Sequence, residues 1–102
     1  MTPGKLMSAA QQLDLALAAS AGPNVSARRY TLDNAITTVR EKHEHAMWLC
    51  QEAISLAEQD RLEKALRALS FAQGVAWALG LVTIDDCRRA LMPDGAVFEE
   101  RG

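Results

Sequence analysis

His43 and His45 are the only histidines in this 102-residue chain, so a metal or acid–base role is tested on them first. They flank Glu44 two positions apart. On a helix, residues two apart point to different faces. They therefore do not share one metal ion, and the zinc-protease pattern needs histidines at i and i+4. His43 shares a face with Cys50, one heptad later. In a symmetric oligomer these two could meet their mates around a metal, although packing is the ordinary role for such a pair. A hydrogen-bonded interface histidine is the plain reading of His43, and a pH-sensitive interface the alternative.

Arg28-Arg29-Tyr30 is the second constellation. Two guanidiniums and a ring just before a helix start could hold a phosphate or nucleotide, with free helix amides completing the site. The competing role is a solvated loop, and no glycine-rich fingerprint accompanies it. Trp48 falls opposite the helix seam described below, beside Gln51 and Glu52. A tryptophan there is covered by another helix or serves as a partner hot spot. Trp77 is expected in the core. Arg88-Arg89 invites a helix-turn-helix reading, but Asp85 and Asp86 at the start of that helix repel phosphate. Cys50 and Cys87 are too few for a disulfide framework and lie in no activating environment. No nucleophile has a base placed for it by local pattern, and no enzyme activity, cofactor or metal is expected.

Composition agrees with a binding role. Net charge is −2 and 49% of residues are apolar, yet five are aromatic. Alanine and leucine carry the hydrophobic content and favour helix. The charge gives no case for nucleic acid or an anionic membrane. The apolar run from Phe71 to Val82 is shorter than the ~20 residues that span a bilayer. Gln11, Gln12 and Asp14 interrupt the first apolar stretch, against a signal peptide. A cytoplasmic protein is expected, and Asn24-Val25-Ser26 is a chance sequon.

These residues must be carried by helices. Leu6, Ala10, Leu13 and Leu17 form one amphipathic stripe over about residues 5–20. Gly22-Pro23 ends it and 21–30 is a hinge. With Thr31 as N-cap and Asp33 near the dipole, a long helix is expected over 31–59, about 43 Å at 1.5 Å per residue. Leu32, Ile36, Val39, His43, Ala46, Cys50 and Ala53 alternate four and three apart along it, a heptad seam that suggests oligomerisation. Its flanks are acidic, with Glu41, Glu44 and Glu52 off the seam. Asp60 with Glu63 is expected to cap a helix over 61–80, whose stripe is Leu62, Leu66, Leu69, Ala72, Ala76 and Leu79. Gly74 sits within it, where glycine costs about 1 kcal/mol, so close helix contact is expected there. Thr83 caps a short last helix to about Leu91, and 93–102 is a tail held by Val97 and Phe98. An antiparallel hairpin of unequal helices would leave Leu32 and Ile36 uncovered.

The expectation is a single all-α domain over 1–102, a small bundle built on the hairpin of 31–59 and 61–80.

Asp60-Arg61-Leu62-Glu63-Lys64-Ala65-Leu66-Arg67-Ala68-Leu69-Ser70-Phe71-Ala72-Gln73-Gly74-Val75-Ala76-Trp77, followed by Gly80-Leu81-Val82-Thr83-Ile84-Asp85-Asp86, resembles small helical proteins of tailed phages and prophages. The resemblance covers residues 60–92, with Ser70 where a glycine is usual. It implies a bacterial cytoplasm during infection and a protein that binds host factors, including defence systems, or sequesters nucleotides as an oligomer.

The expected function is occlusion of a host protein by Trp48 with Glu41, Glu44 and Glu52. The alternative is an oligomeric nucleotide binder using Arg28, Arg29 and Tyr30, and a DNA-associated regulator comes third.

Overall fold

In the computed structural model of the chain, residues 2–31 and 38–91 are described. They form four helices: α1 (Pro3–Ala21), α2 (Val39–Glu58), α3 (Leu62–Ala78) and α4 (Ile84–Leu91). α2 is the central helix, packed closely on α1 along one side and α3 along the other, while α4 leans on α1. No helix among the described residues is long and apolar enough to cross a membrane.

Each helix starts and stops for a local reason. Thr2 Oγ1 accepts from the Lys5 N–H, and Pro3 occupies the first turn, where its missing N–H costs nothing. Gly22, at φ 93°, stops α1. α2 starts at Thr38 rather than Thr31, which corrects the expected start of the long helix. Thr38 and Glu41 form a capping box: the Glu41 N–H donates to Thr38 Oγ1, and the Thr38 N–H donates back to Glu41 Oε1. Thr31 has Asn34 rather than the glutamate or glutamine of a capping box three residues on, and lies exposed in irregular chain.

The two inner helix ends share one motif. The Arg61 N–H reaches the Leu56 carbonyl and the Asp60 N–H the Ala57 carbonyl, with Asp60 at φ 61°. The Leu81 N–H reaches the Ala76 carbonyl and the Gly80 N–H the Trp77 carbonyl, with Gly80 at φ 76°. Both are Schellman caps, built on a left-handed residue that asparagine, aspartate and glycine tolerate. Asp60 therefore closes α2 rather than opening α3, whose N-cap Arg61 makes no side-chain cap bond. Thr83 caps α4 as expected: its Oγ1 accepts from the Asp86 N–H and its N–H donates to Asp86 Oδ2.

The core is made of small side chains. Among the described residues, eight of its fourteen buried apolar side chains are alanine. Leu6, Ala9, Ala10, Leu13 and Leu17 of α1 meet Ala46, Met47, Cys50, Ala53 and Ala57 of α2, and Ala65, Leu69, Ala72 and Ala76 close the other side. Most of the expected oligomer seam is therefore interior to one chain. His43, Ala46, Cys50 and Ala53 are covered by α1 and α3, Val39 is 60% exposed, and Leu32 and Ile36 lie outside the described residues. The tail expected at 93–102 also lies outside them. The expected stripe of α3 holds at Leu69, Ala72 and Ala76, which are fully buried, with Leu62 and Leu79 half-buried, and departs at Leu66. Ala65 takes the inward place, Leu66 is partly exposed and Trp77, expected in the core, is 55% exposed.

Gly74 also departs from expectation. It faces outward, and a Cβ built on it would meet nothing within 4 Å. No contact among the described residues needs its missing side chain. Gly74→Ala should raise monomer stability by about 1 kcal/mol, read by thermal denaturation at low protein concentration.

Asp14 is the polar exception between α1 and α2. Burial raises its pKa, a hydrogen bond with Gln51 partly opposes this, and Oδ1 has no partner among the described residues. Above its raised folded pKa the ionised carboxylate destabilises the fold, and the penalty fades as pH falls to the unfolded value of 3.8. Asp14→Asn should raise the melting temperature at neutral pH, with a gain that shrinks as the buffer is acidified.

Candidate functional site

The first half of α2 carries three of the singled-out residues on successive faces. His43 points inward. Its Nδ1 lies 2.9 Å from the Val39 carbonyl, an acceptor only, so Nδ1 holds the proton; Nε2 lies 3.1 Å from Ser20 Oγ. Glu44 is also buried, although its place among the acidic flanks suggested a surface role. His45 and Trp48, three residues apart, face the neighbouring chain segment.

That segment is the former hinge. Residues 24–31 run along α2 as an irregular strap fastened by named bonds. The Arg28 N–H donates to the Glu44 carbonyl (3.0 Å). The Tyr30 N–H donates to His45 Nδ1 (3.3 Å), and the Tyr30 hydroxyl donates to Glu44 Oε1 (2.9 Å). Arg40 reaches back to the Asn24 carbonyl (3.3 Å) and lies 3.9 Å from Glu44 Oε2. Glu44 thus has a phenol and a guanidinium at its carboxylate and an amide at its carbonyl. Burial, then the bond to Glu44 and its charge, raises the Tyr30 pKa.

Rings gather around His45. Trp48 stacks on it at 5.8 Å between centroids, while Tyr30 and Phe71 present edges, each at 6.1 Å. Arg28 sits 5.2 Å from the Tyr30 centroid and Arg29 sits 5.4 Å from that of Trp48. Two constellations that are separate in sequence, Arg28-Arg29-Tyr30 and Trp48 with Glu44, are one cluster in space. Phe71, from α3, is the member that sequence reasoning placed on no site. Its only signal was a position off the apolar stripe.

The phosphate reading placed free helix amides just after Tyr30, where residues 32–37 lie outside those described; α2 itself begins at Thr38, and its first turn is closed by the Glu41 side chain. The Glu44 carboxylate beside the Tyr30 hydroxyl also opposes an anion. Of the expected acidic surface, Glu41 is engaged in the cap, Glu44 is buried and Glu52 remains half-exposed.

Beside His45 lies an open groove of about 430 Å³ between α2 and α3, with walls from Lys42, His45, Phe71, Gly74, Val75 and Ala78. On the other flank of Gly74 a hollow of about 270 Å³ is lined by Ser70, Gln73, Trp77, Ile84 and Cys87. Phe71 is 60% exposed, Trp77 55% and Ile84 58%. Among the described residues no three His, Cys, Asp or Glu side chains are grouped to hold a metal. Burial, with Asp14 adding to it, pushes the Cys50 thiol up to about 12, and burial with Asp86 raises Cys87, so neither thiol is activated. No protein-family model matches the chain, and no curated protein or solved structure matches it either.

Because Nδ1 accepts from the Tyr30 N–H, His45 carries its proton on Nε2. Burial, then the Arg29 charge, lowers its pKa below the ordinary 6.5. As pH falls through 6.5 the unfolded chain takes up a proton that the folded chain refuses, so stability is lost on acidification. Gln at this position still offers an acceptor but does not titrate. His45→Gln should therefore remove that part of the stability loss below pH 6.5, measured by denaturant unfolding across a pH series.

Proposed function

We propose that the protein is a non-catalytic helical interaction module that docks on another protein and occludes its surface. One observation carries this reading: Tyr30, Trp48, Phe71 and Trp77 all lie outside the core. Aromatic rings bury the most area per side chain and usually dominate a core. Here Tyr30 and Trp48 are half-buried at the strap, and Phe71 and Trp77 are more than half exposed on α3. Exposed aromatics flanked by shallow hollows are the anchors on which binding energy concentrates. The docking face thus moves from Trp48, which Arg29 and His45 already cover in part, to the outward side of α3.

The nature of the partner rests on the resemblance of residues 60–92 to phage and prophage proteins. We take it to be a host protein, with a defence-system component one candidate, met in the bacterial cytoplasm. Nucleotide sequestration is the second reading. It is favoured by the convergence of Arg28, Arg29, Tyr30 and Trp48 and opposed by Glu44 beside them. A DNA-associated regulator ranks third, since Asp85 and Asp86 open α4.

Tagged wild type and a Phe71→Ser, Trp77→Ser double variant are compared for capture of one bacterial protein at high salt. Truncating a hot-spot aromatic costs about 2 kcal/mol, so capture should weaken about 30-fold or more. Melting temperature should change little, because both side chains are exposed. Equal capture by the two proteins would overturn the α3 docking face. A rise in melting temperature with added nucleotide, lost in Arg28→Ala, would favour the second reading instead.

A further inference from the structure

We propose that the outward face of α3 docks on a second copy of itself, antiparallel, with the two helices crossing at Gly74. This rests on the reading of that face as a docking surface and names an occupant for it.

The arrangement about Gly74 is symmetric. Phe71 precedes it by three residues and Trp77 follows it by three. At about 100° per residue these side chains stand roughly 60° to either side of Gly74. Each flank also has its own depression, the 430 Å³ groove on the Phe71 side and the 270 Å³ hollow on the Trp77 side. A two-fold axis lying between antiparallel helices reverses the chain direction but keeps each flank on its own side. The second copy's Phe71 then falls level with the region of Val75 and Ala78, which wall the groove. The second copy's Trp77 falls level with the region of Ser70 and Gln73, which wall the hollow. Each ring meets a depression that its own chain leaves open, as an isologous interface requires.

Gly74 itself fits this placement. The glycine weakens α3, and no contact among the described residues uses its missing Cβ. At a helix crossing the absent side chain lets two backbones approach closely.

Charge runs the same way. Arg67 is held to Glu63 at 2.6 Å, and Lys64 leaves the first turns of α3 with a net positive charge. The far end of α3 has no charged residue in its last turn, and α4 beyond it balances Asp85 and Asp86 against Arg88 and Arg89. Reversing one copy sets the positively charged first turns of each α3 beside the negative, carbonyl end of the other helix dipole.

A face 17 residues long is modest. A standard interface takes roughly 800 Å² from each partner, usually from more than one element, so a dimer through one helix face should be reversible and depend on concentration.

Sedimentation equilibrium of the full chain from micromolar to millimolar concentration tests this. Wild type should rise from 11.1 kDa towards twice that mass. Gly74→Glu should weaken the dimer at least tenfold while keeping its helical signal and melting behaviour, since position 74 is open. A position on the two-fold axis meets its own mate. Under mild oxidation Gly74→Cys in a Cys87→Ser background should therefore cross-link into a dimer, whereas Leu15→Cys, exposed on α1, should not. A wild type that stays monomeric throughout overturns the inference. So does a dimer indifferent to Gly74→Glu, or one that Gly74→Cys fails to cross-link. The docking-face reading fails separately, through capture that ignores Phe71→Ser and Trp77→Ser.

Discussion

The alanine-lined contact of α2 with α1 and α3 is the constraint from which the rest follows. Ala46, Ala53 and Ala57 present short side chains on one helix, and Ala9, Ala10, Ala65, Ala72 and Ala76 present them on its neighbours. Helices meeting through such residues lie close together, and the gap between them has no room for an aromatic ring. The largest fully buried side chains are Leu6, Leu17, Leu69 and Cys50. Rings are thus displaced to the outside, where they line the strap, the groove and the outer side of α3. A close core and a sticky exterior are two results of one packing choice.

The strap shows how a short irregular segment is held without a core of its own. Its ordering has a conformational cost of roughly 1–2 kcal/mol per residue. Backbone bonds to Glu44 and His45, the Tyr30 hydroxyl on a buried carboxylate, and stacked rings offset that cost together. Such a group stands or falls as a unit, because the Glu44 carboxylate would be left poorly satisfied if Tyr30 withdrew. The strap also sets the orientation of His45, and through it the inner edge of the groove.

Much of the architecture was legible in the sequence, since periodicity and punctuation are local. The stripe of α1, the stop at Gly22, the Gly80 cap and the Thr83 start were all readable from neighbouring residues. The start of α2 was misplaced because Thr31 with Asp33 resembles a cap, while the stronger pattern, Thr38 with Glu41, lay seven residues on. The heptad seam was real as a buried face from His43 to Ala53, but periodicity does not say whether the chain itself or another copy covers it. Trp77 was misplaced because α3 is apolar nearly all round beyond Ala68, which leaves its rotation undefined. Leu69 and the inward alanines set that phase. The ring cluster was illegible for a different reason. Tyr30 meets Glu44 and His45 across fourteen and fifteen residues, and no local spacing encodes that meeting.

The burial of Cys50 has a further consequence. Its thiol is fully enclosed between helices, and its pKa is pushed up to about 12, so almost none of it is thiolate at neutral pH. An alkylating reagent can reach it only after α1 has left α2. Cys87, half-buried on α4, is open to reagent without such a movement. The chain therefore carries an internal clock: the lag between labelling of the two cysteines measures how often the bundle opens.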